Sequence, residues 1–359
     1  VLIYQIGSLG DTLVSIPVYR VARRHFGPDA ELVLLCNRPP DNRARADEIL
    51  LECGLINRSI GYVQREGSGK LATFASLWPQ IAAARFDAVI YAAPAKRDAA
   101  SVQRDLRFFQ SCGIRRCYGF HAYPAERFAV KVSGETVNSL PHEAVMRLNR
   151  LQRDGIEIRP GDSNPPWIRL PEPATGKVAQ WLSEGRRHPG RPLVALCPGA
   201  NQEANLWPEE RFIELGRRIL DTGSAEIVIA GGPREQESAR RMTDSWGEGV
   251  DATGRFSVLE SAALLSLCAF QIGLDTGTTH MASAVGTPCV SLYGQRNLPG
   301  QWWPLGAENI LLMHAVPCMG CGLSVCTQPG HPCLSLITVD EAWAAVQSML
   351  HRFAAASQA

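Results

Sequence analysis

Short apolar runs alternate with amphipathic stretches along this chain, and they do so in two successive sets. The first set predicts strands at Val1–Gln5, Glu31–Cys36 and Ala88–Ala92, with a short one near Arg116–Gly119. Between them it predicts helices at Asp11–Arg24, Arg43–Cys53, Phe74–Ala84 and Ser101–Cys112. Mostly apolar strands alternating with helices imply a parallel, helix-covered sheet. Phe120–Asn138 shows no period, and Pro141–Asp154 reads as a helix with Ala144, Leu148 and Leu151 at helical spacing. The second set predicts strands at Leu193–Cys197, Glu226–Ala230, Phe270–Leu274 and Cys289–Leu292. Its helices fall at Glu209–Leu220, Arg234–Trp246, Ser257–Leu267 and Thr278–Val285, and an amphipathic helix follows at Val339–Phe353. Five prolines lie within Arg159–Pro173, which places a domain boundary there. The chain therefore divides into a first Rossmann-like domain at 1–165, a second at 170–338 and a closing helix at 339–359.

Composition agrees with two ordinary globular domains: 359 residues, 45% hydrophobic and 20% charged. The longest apolar runs, such as Val89–Ala93, are strand-sized and too short to cross a bilayer. No basic segment precedes a long apolar stretch, so the expectation is a cytoplasmic protein with reduced cysteines. The net charge of +1 is unevenly divided: residues 1–170 hold 23 Lys+Arg against 17 Asp+Glu, and the rest 13 against 18. A basic first half suits an anionic partner, although chance asymmetry accounts for it equally well. Nothing in the balance calls for nucleic acid.

Four loops at strand ends carry candidate chemistry, because open parallel sheets bind ligands beyond the carboxyl ends of their strands. Gly7–Thr12 follows the first strand, and its glycines, Gly7 and Gly10, let the backbone turn tightly and approach a ligand. Asp11 in that loop is either a first-turn acid that caps the helix or a general base, and the residues alone favour the cap. Asp275–His280 is a small, hydroxyl-rich helix start, suited to a diphosphate at free N–H groups or to a plain cap. Thr276, Gly277, Thr278 and His280 are its candidate ligands, and for a lone His capping and packing is the commoner role. Pro198–Asn201 and Gly231–Glu235 complete the set, with Glu235 placed to meet ribose hydroxyls or to serve as a first-turn acid. No Gly-x-Gly-x-x-Gly follows either first strand, which disfavours a nicotinamide dehydrogenase. No Asp-x-Asp occurs, so a diphosphate would be neutralised by helix ends and side chains.

Four of the 11 cysteines, Cys318, Cys321, Cys326 and Cys333, cluster near the end of the chain. Four thiols with a Cys-x-x-Cys pair suit structural zinc or iron, while reduced thiols or a disulfide are the alternatives. The cluster is far in sequence from Asp11, which predicts a structural or assembly role with no part in transfer.

The sequence resembles glycosyltransferase family 9, the heptosyltransferases of lipopolysaccharide assembly. The resemblance lies chiefly in Ile6–Pro17 (IGSLGDTLVSIP) and Gly273–Gly294 (GLDTGTTHMASAVGTPCVSLYG), with Pro198–Phe212 and the cysteine tail in order between and after them. It implies an α/β GT-B fold, two Rossmann-like domains facing across a cleft, and an inverting transfer that requires no cofactor. It implies Asp11 as base, Thr276, Gly277 and His280 at the nucleotide diphosphate and Glu235 at the ribose, with ADP-heptose as donor. A lysine expected before Trp207 is replaced, since the stretch is Ala204-Asn205-Leu206; either Asn201 or Asn205 hydrogen-bonds in its stead, or another basic group substitutes, or the activity is weak or altered. Gly10, Lys96 and Arg97 would face an anionic glycan or glycolipid acceptor, with contact at the cytoplasmic face of the inner membrane. One branch of the family is thought to hold iron in a similar cysteine tail. The rival readings are a nucleotide-sugar epimerase on the same fold and a non-catalytic nucleotide- or glycan-binding subunit.

Overall fold

The computed structural model describes residues 1–38, 45–63, 70–129, 132–133 and 136–356. The chain divides into two compact units, one of Val1–Ala129 with Leu140–Asn164, the other of Val130–Ser139 with Pro165–Ala359.

The first unit runs β1 (Leu2–Gln5), α1 (Leu9–Val14), α2 (Ile16–Phe26), β2 (Val33–Arg38), α3 (Ala46–Glu52), β3 (Arg58–Val63), α4 (Lys70–Ala83), β4 (Ala88–Tyr91), α5 (Ala99–Ser111) and β5 (Arg116–Tyr118). It closes with α6 (Glu143–Arg153). Its five strands are parallel in the order β3-β2-β1-β4-β5. Leu2, Tyr4, Val33, Leu35, Val89 and Phe109 lie in its core. The single helix predicted over Asp11–Arg24 is two, broken at Ser15. There the Ser15 hydroxyl donates to the Asp11 carbonyl at 2.8 Å, and Pro17 has no N–H to continue the ladder. Strand β3 escaped the pattern because only Ile60 in it is buried and Gly61 lies beneath the Arg38 side chain. Arg43 and Ala44 of the predicted helix Arg43–Cys53 lie outside the described residues.

The second unit contains a short antiparallel ribbon, β6 (Val132–Ser133) with β7 (Thr136–Val137). It continues with α7 (Glu172–Gly185), β8 (Leu193–Cys197), α8 (Glu209–Asp221), β9 (Glu226–Ile229), α9 (Gln236–Trp246), β10 (Val250–Asp251), α10 (Val258–Ser266), β11 (Phe270–Leu274) and α11 (Gly277–Val285). Strands β12 (Cys289–Leu292) and β13 (Ile310–Leu312) follow, then α12 (Pro332–Ser335) and α13 (Val339–Ala356). Six strands pair in parallel in the order β10-β9-β8-β11-β12-β13, the doubly wound order. Val194, Leu196, Phe212, Ile272 and Val290 form its core, and α13 packs into it through Ala342 and Val346. Helix α7 was hidden in the proline-rich stretch: Pro171 caps it and Pro173 lies in its first turn, where a fixed φ and a missing N–H do no harm. Strands β10 and β13, two and three residues long at the sheet edges, are too short to show a period.

Candidate active site

In each sheet the strand order reverses between the first strand and its later neighbour, β1 beside β4 and β8 beside β11. Helices leave opposite faces on either side of that point, and the loops at the carboxyl ends there are the ones open to a ligand.

In the first unit, the loop after β1 carries Asp11. One carboxylate oxygen, Oδ2, accepts from the Ser8 backbone N–H at 2.8 Å and from the Ser8 hydroxyl at 3.0 Å. The other, Oδ1, faces the Arg147 guanidinium at 3.8 Å, and the side chain stays 20% exposed. Asp11 thus caps its own helix with one oxygen and keeps the other for a charge partner. Burial lifts its carboxyl above the ordinary 3.8; Arg147 and the Ser8 donors draw it back only in part. Gly7 makes the approach feasible: its φ is +135°, and a Cβ there would stand 2.2 Å from the Asp11 carboxyl carbon. Gly10 is buried in the first turn of α1.

The neighbouring loop after β4 holds Lys96, which is exposed, and Arg97. Arg97 is committed inward: it donates to Tyr91 Oη at 2.8 Å and pairs with the fully buried Asp105 at 2.8 Å. Helix α6 organises both loops with three fully buried charged residues, Glu143, Arg147 and Arg150. Arg147 donates to Glu143 Oε1 at 2.8 Å and to the Asp11 carbonyl at 2.9 Å, and it also bonds the Ser15 hydroxyl. Glu143 accepts from the Ala95 N–H at 2.6 Å, and Arg150 donates to the carbonyls of Ala93 at 2.8 Å and Ala95 at 3.0 Å. These three residues were missed in the sequence, where α6 was read from its apolar row alone. The available signal was Glu143 and Arg147 four apart, with Arg150 one turn on, in the row beside Ala144, Leu148 and Leu151.

In the second unit, the loop after β11 leads through Asp275 and Thr276 into α11. Thr276 is the extended N-cap, and no side chain caps the helix, so its first-turn N–H groups are left for a ligand. The Thr276 hydroxyl bonds that of Thr278 at 2.9 Å, and Thr279 turns inward to the Leu274 carbonyl at 2.6 Å. His280 is 5% exposed with its ring edge-on to Trp302 at 6.1 Å. Burial drives its pKa down to about 4, so it is a neutral imidazole at neutral pH. Glu235, after β9, folds back so that its carboxylate accepts from the Gly232 N–H at 2.7 Å, and a Cβ at Gly199 would collide with it at 2.4 Å. The loops after β8 and β9 therefore meet over Gly199. Gly273 of β11 pairs in parallel with Cys197 at the end of β8, which brings the loop after β11 beside them. Asn201 is exposed in the loop after β8. Asn205 is buried, and its Nδ2 donates to the Asp275 carbonyl at 2.8 Å.

Cys318, Cys321, Cys326 and Cys333 line one small cavity together with His331. Burial and the other three sulfurs raise the Cys333 thiol above its ordinary value. Among the described residues no three Cys, His, Asp or Glu groups stand close enough to hold a metal ion. The thiols are gathered without forming a finished site. No helix among the described residues is long and apolar enough to cross a membrane.

Comparison with known proteins gives the family and the fold. The family model of glycosyltransferase family 9 (heptosyltransferase) matches residues 75–330. Lipopolysaccharide heptosyltransferase 1 of Pseudomonas aeruginosa is 30% identical over 139 residues, a stretch that spans 39% of this chain and 39% of that protein. A family 9 glycosyltransferase structure from Veillonella parvula superposes with a TM-score of 0.73 at 20% identity, covering 98% of this chain and 97% of that one. The E. coli ADP-heptose lipopolysaccharide heptosyltransferase II structure gives 0.66 at 19%, covering 98% and 99%. At such identities the structural likeness speaks to the fold, and it is the α/β GT-B class of two Rossmann-like domains.

Two outcomes test the Asp11 environment. Because burial raises its folded-state pKa, the stability this group contributes is full below its ordinary 3.8 and is lost as pH rises through the folded value. Asp11→Asn should therefore raise the melting temperature at pH 7, with the gap closing towards pH 4. Thermal scans showing a lowered melting temperature at pH 7 would mean that the Arg147 contact outweighs burial. Gly7→Ala should destabilise the protein by about 1–3 kcal/mol, the usual scale for backbone strain of this kind, as read by denaturant unfolding.

Proposed function

The chain belongs to glycosyltransferase family 9, and we propose that it transfers a sugar, with inversion, from a nucleoside-diphosphate donor to an acceptor hydroxyl. The donor sugar is heptose carried on ADP, in keeping with the name of the E. coli structural neighbour. The acceptor is an anionic glycan or glycolipid of lipopolysaccharide or related glycan assembly, in keeping with the P. aeruginosa relative. We place the reaction at the cytoplasmic face of the inner membrane, where such an acceptor would be met.

In this scheme Asp11 Oδ1 takes the proton of the acceptor hydroxyl, and that oxygen attacks the anomeric carbon from the face opposite the leaving group. The bond from the anomeric carbon to the diphosphate oxygen breaks, and the nucleoside diphosphate leaves with the electron pair. Its developing charge falls to the uncapped N–H groups of Gly277 and its neighbours and to the positive end of the α11 dipole. Thr276 and Thr278 supply hydroxyl donors, and neutral His280 orients the turn or donates to the ligand. Glu235 is placed for ribose hydroxyls beside Gly199. Gly10 and Lys96 serve the acceptor, whereas Arg97 acts through the buried Asp105 pair to stiffen the same loop. In line with the family resemblance, no divalent metal enters the transfer. The observation that carries the reading is a small-residue helix start with no side-chain cap, at the switch point of a doubly wound sheet.

Asp11→Asn should lower turnover by about 10²–10⁴-fold, the scale of a general base, with ADP affinity unchanged by calorimetry. Near-normal turnover would leave Asp11 with its capping role alone. Thr276→Ala and Gly277→Val should both weaken ADP binding, the second by blocking backbone approach. An isomerised sugar from donor alone would favour an epimerase. Donor binding without turnover across a panel of acceptors would favour a non-catalytic subunit.

For the cysteine cavity we propose one structural zinc or iron held by Cys318, Cys321, Cys326 and Cys333. What supports it is the convergence of all four sulfurs on one cavity, and the thiols would have to close in on the ion. Protein purified under reducing conditions should then contain close to one zinc or iron per chain by elemental analysis, released as acid protonates the thiolates. Freshly prepared, unchelated protein without stoichiometric metal would overturn this assignment.

A further inference from the structure

The cysteine loop, Cys318–Cys333, is hydrogen-bonded in two directions, and both lead to the same residue. In one direction it holds the turn after β8. The Ala204 N–H donates to the Ser324 carbonyl at 2.9 Å, and the His331 ring nitrogen Nε2 meets the Ala204 carbonyl at 3.1 Å. In the other it holds the segment after β12. The Gly320 N–H donates to the Gln295 carbonyl at 2.7 Å and the Gly322 N–H to the Arg296 carbonyl at 2.9 Å. Arg296 answers with Nε to the Leu323 carbonyl at 2.8 Å and Nη2 to the Gly322 carbonyl at 3.1 Å.

Next to each anchored segment is an asparagine, and both asparagines donate to Asp275. Asn205 Nδ2 reaches its backbone carbonyl at 2.8 Å, and Asn297 Nδ2 reaches its carboxylate Oδ2 at 2.6 Å. Asp275 is 7% exposed and directly precedes Thr276, the N-cap of α11. The two arms also pack on each other. A Cβ at Gly294 would come within 3.2 Å of the Ala204 carbonyl, 3.4 Å of Leu334 and 3.5 Å of Asn205 Oδ1. Sequence distance from Asp11 had suggested that the cysteine tail has a structural or assembly role with no part in transfer; these bonds put two residues between it and the turn at Asp275.

We propose that the Cys318–Cys333 loop sets the nucleotide affinity of the second unit by locking Asn205 and Asn297 onto Asp275. The inference rests on the reading that the turn at Thr276 takes the donor diphosphate. Asn205 and Asn297 are positioning residues: they fix the backbone from which the α11 N–H groups point, and a change in the packing of the thiols is transmitted to that backbone.

The test is calorimetric titration of the full chain with ADP. Thr276→Ala reports whether the turn binds the nucleotide at all. Asn297→Ala and His331→Ala each remove one bond of the brace and should weaken ADP by about 3–10-fold, the scale of one hydrogen bond. Combined with Cys326→Ser in a double-mutant cycle, Asn297→Ala should give less than the product of the two single effects, because both act through one contact. Should a variant fail to fold, carboxymethylation of the exposed Cys321 in folded wild-type protein gives the same readout. Cys321→Ala treated identically corrects for other thiols, and the wild type should lose ADP affinity relative to it. If Thr276→Ala weakens ADP while Asn297→Ala, His331→Ala and the carboxymethylated protein bind as wild type, the brace is overturned and the donor site stands. If Thr276→Ala itself leaves ADP affinity unchanged, the donor-site reading falls and the brace with it.

Discussion

A parallel sheet whose strand order reverses once has one place on its edge where the loops are not covered by the next helix, and this chain contains that construction twice. The order cannot be altered without moving the chemistry. Gly7–Asp11 stands at the end of β1 because β1 is the strand beside the reversal, and Asp275–His280 stands at the end of β11 for the same reason. The buried strands β1 and β11, apolar but for Gln5 and Gln271, fix the frame. The loops then have freedom only to choose which polar groups they present. The first unit presents a carboxylate there and the second a helix end, which the proposed transfer would use as a base for the nucleophile and a positive field for the leaving group.

Holding a carboxylate in the first unit is costly, and the structure shows how the cost is contained. Asp11 would be stabilised as a charge by full exposure or by a close guanidinium, and it has neither. Arg147 stays at 3.8 Å because its Nε is bonded to Glu143, while other guanidinium nitrogens hold the Asp11 carbonyl and Ser15. The α6 charges therefore fix the backbone around Asp11 more firmly than they neutralise it, which leaves its carboxyl raised. A base that is to accept a proton gains from that imbalance, whereas a residue present only as a cap would gain from a closer arginine.

The fold was legible because its signals are local. Apolar runs of four or five residues mark β1, β4 and β8, a run broken only by Gln271 marks β11, and glycine or small residues mark the turns that follow them. What escaped was whatever depended on a partner distant in the chain. Strand β3 is defined by its pairing with β2 rather than by an alternation of its own, and α7 starts inside prolines that read as linker. The candidate site shows the same division. Asp11, Thr276, Gly277 and Glu235 could be named from their place after strands. Glu143 and Arg147 could not, since a charged pair on a helix is ordinarily a solvated one and here it is wholly buried. Arg97, read as a contact for an anionic acceptor, is paired inward with Asp105, a residue whose burial no local pattern announces.

Asn205 shows how such long-range constraint can replace charge. The family resemblance places a lysine in this stretch, where an ammonium would meet the phosphates directly. An amide brings no charge, and here the Asn205 Nδ2 donates to the Asp275 carbonyl instead. Its Oδ1 is buried with no hydrogen-bond partner among the described residues, a loss on the order of 1–3 kcal/mol. A residue kept at that cost contributes through the bond it does make. The Asp275 carbonyl is fixed from one side and its carboxylate from the other by Asn297, so the N–H groups of α11 are held in place before any ligand arrives. Preorganised N–H groups bind an anion without the reorganisation that a flexible lysine would undergo. On the proposed reading, a diphosphate at this turn would be met by geometry set in advance, and the asparagine is part of what sets it.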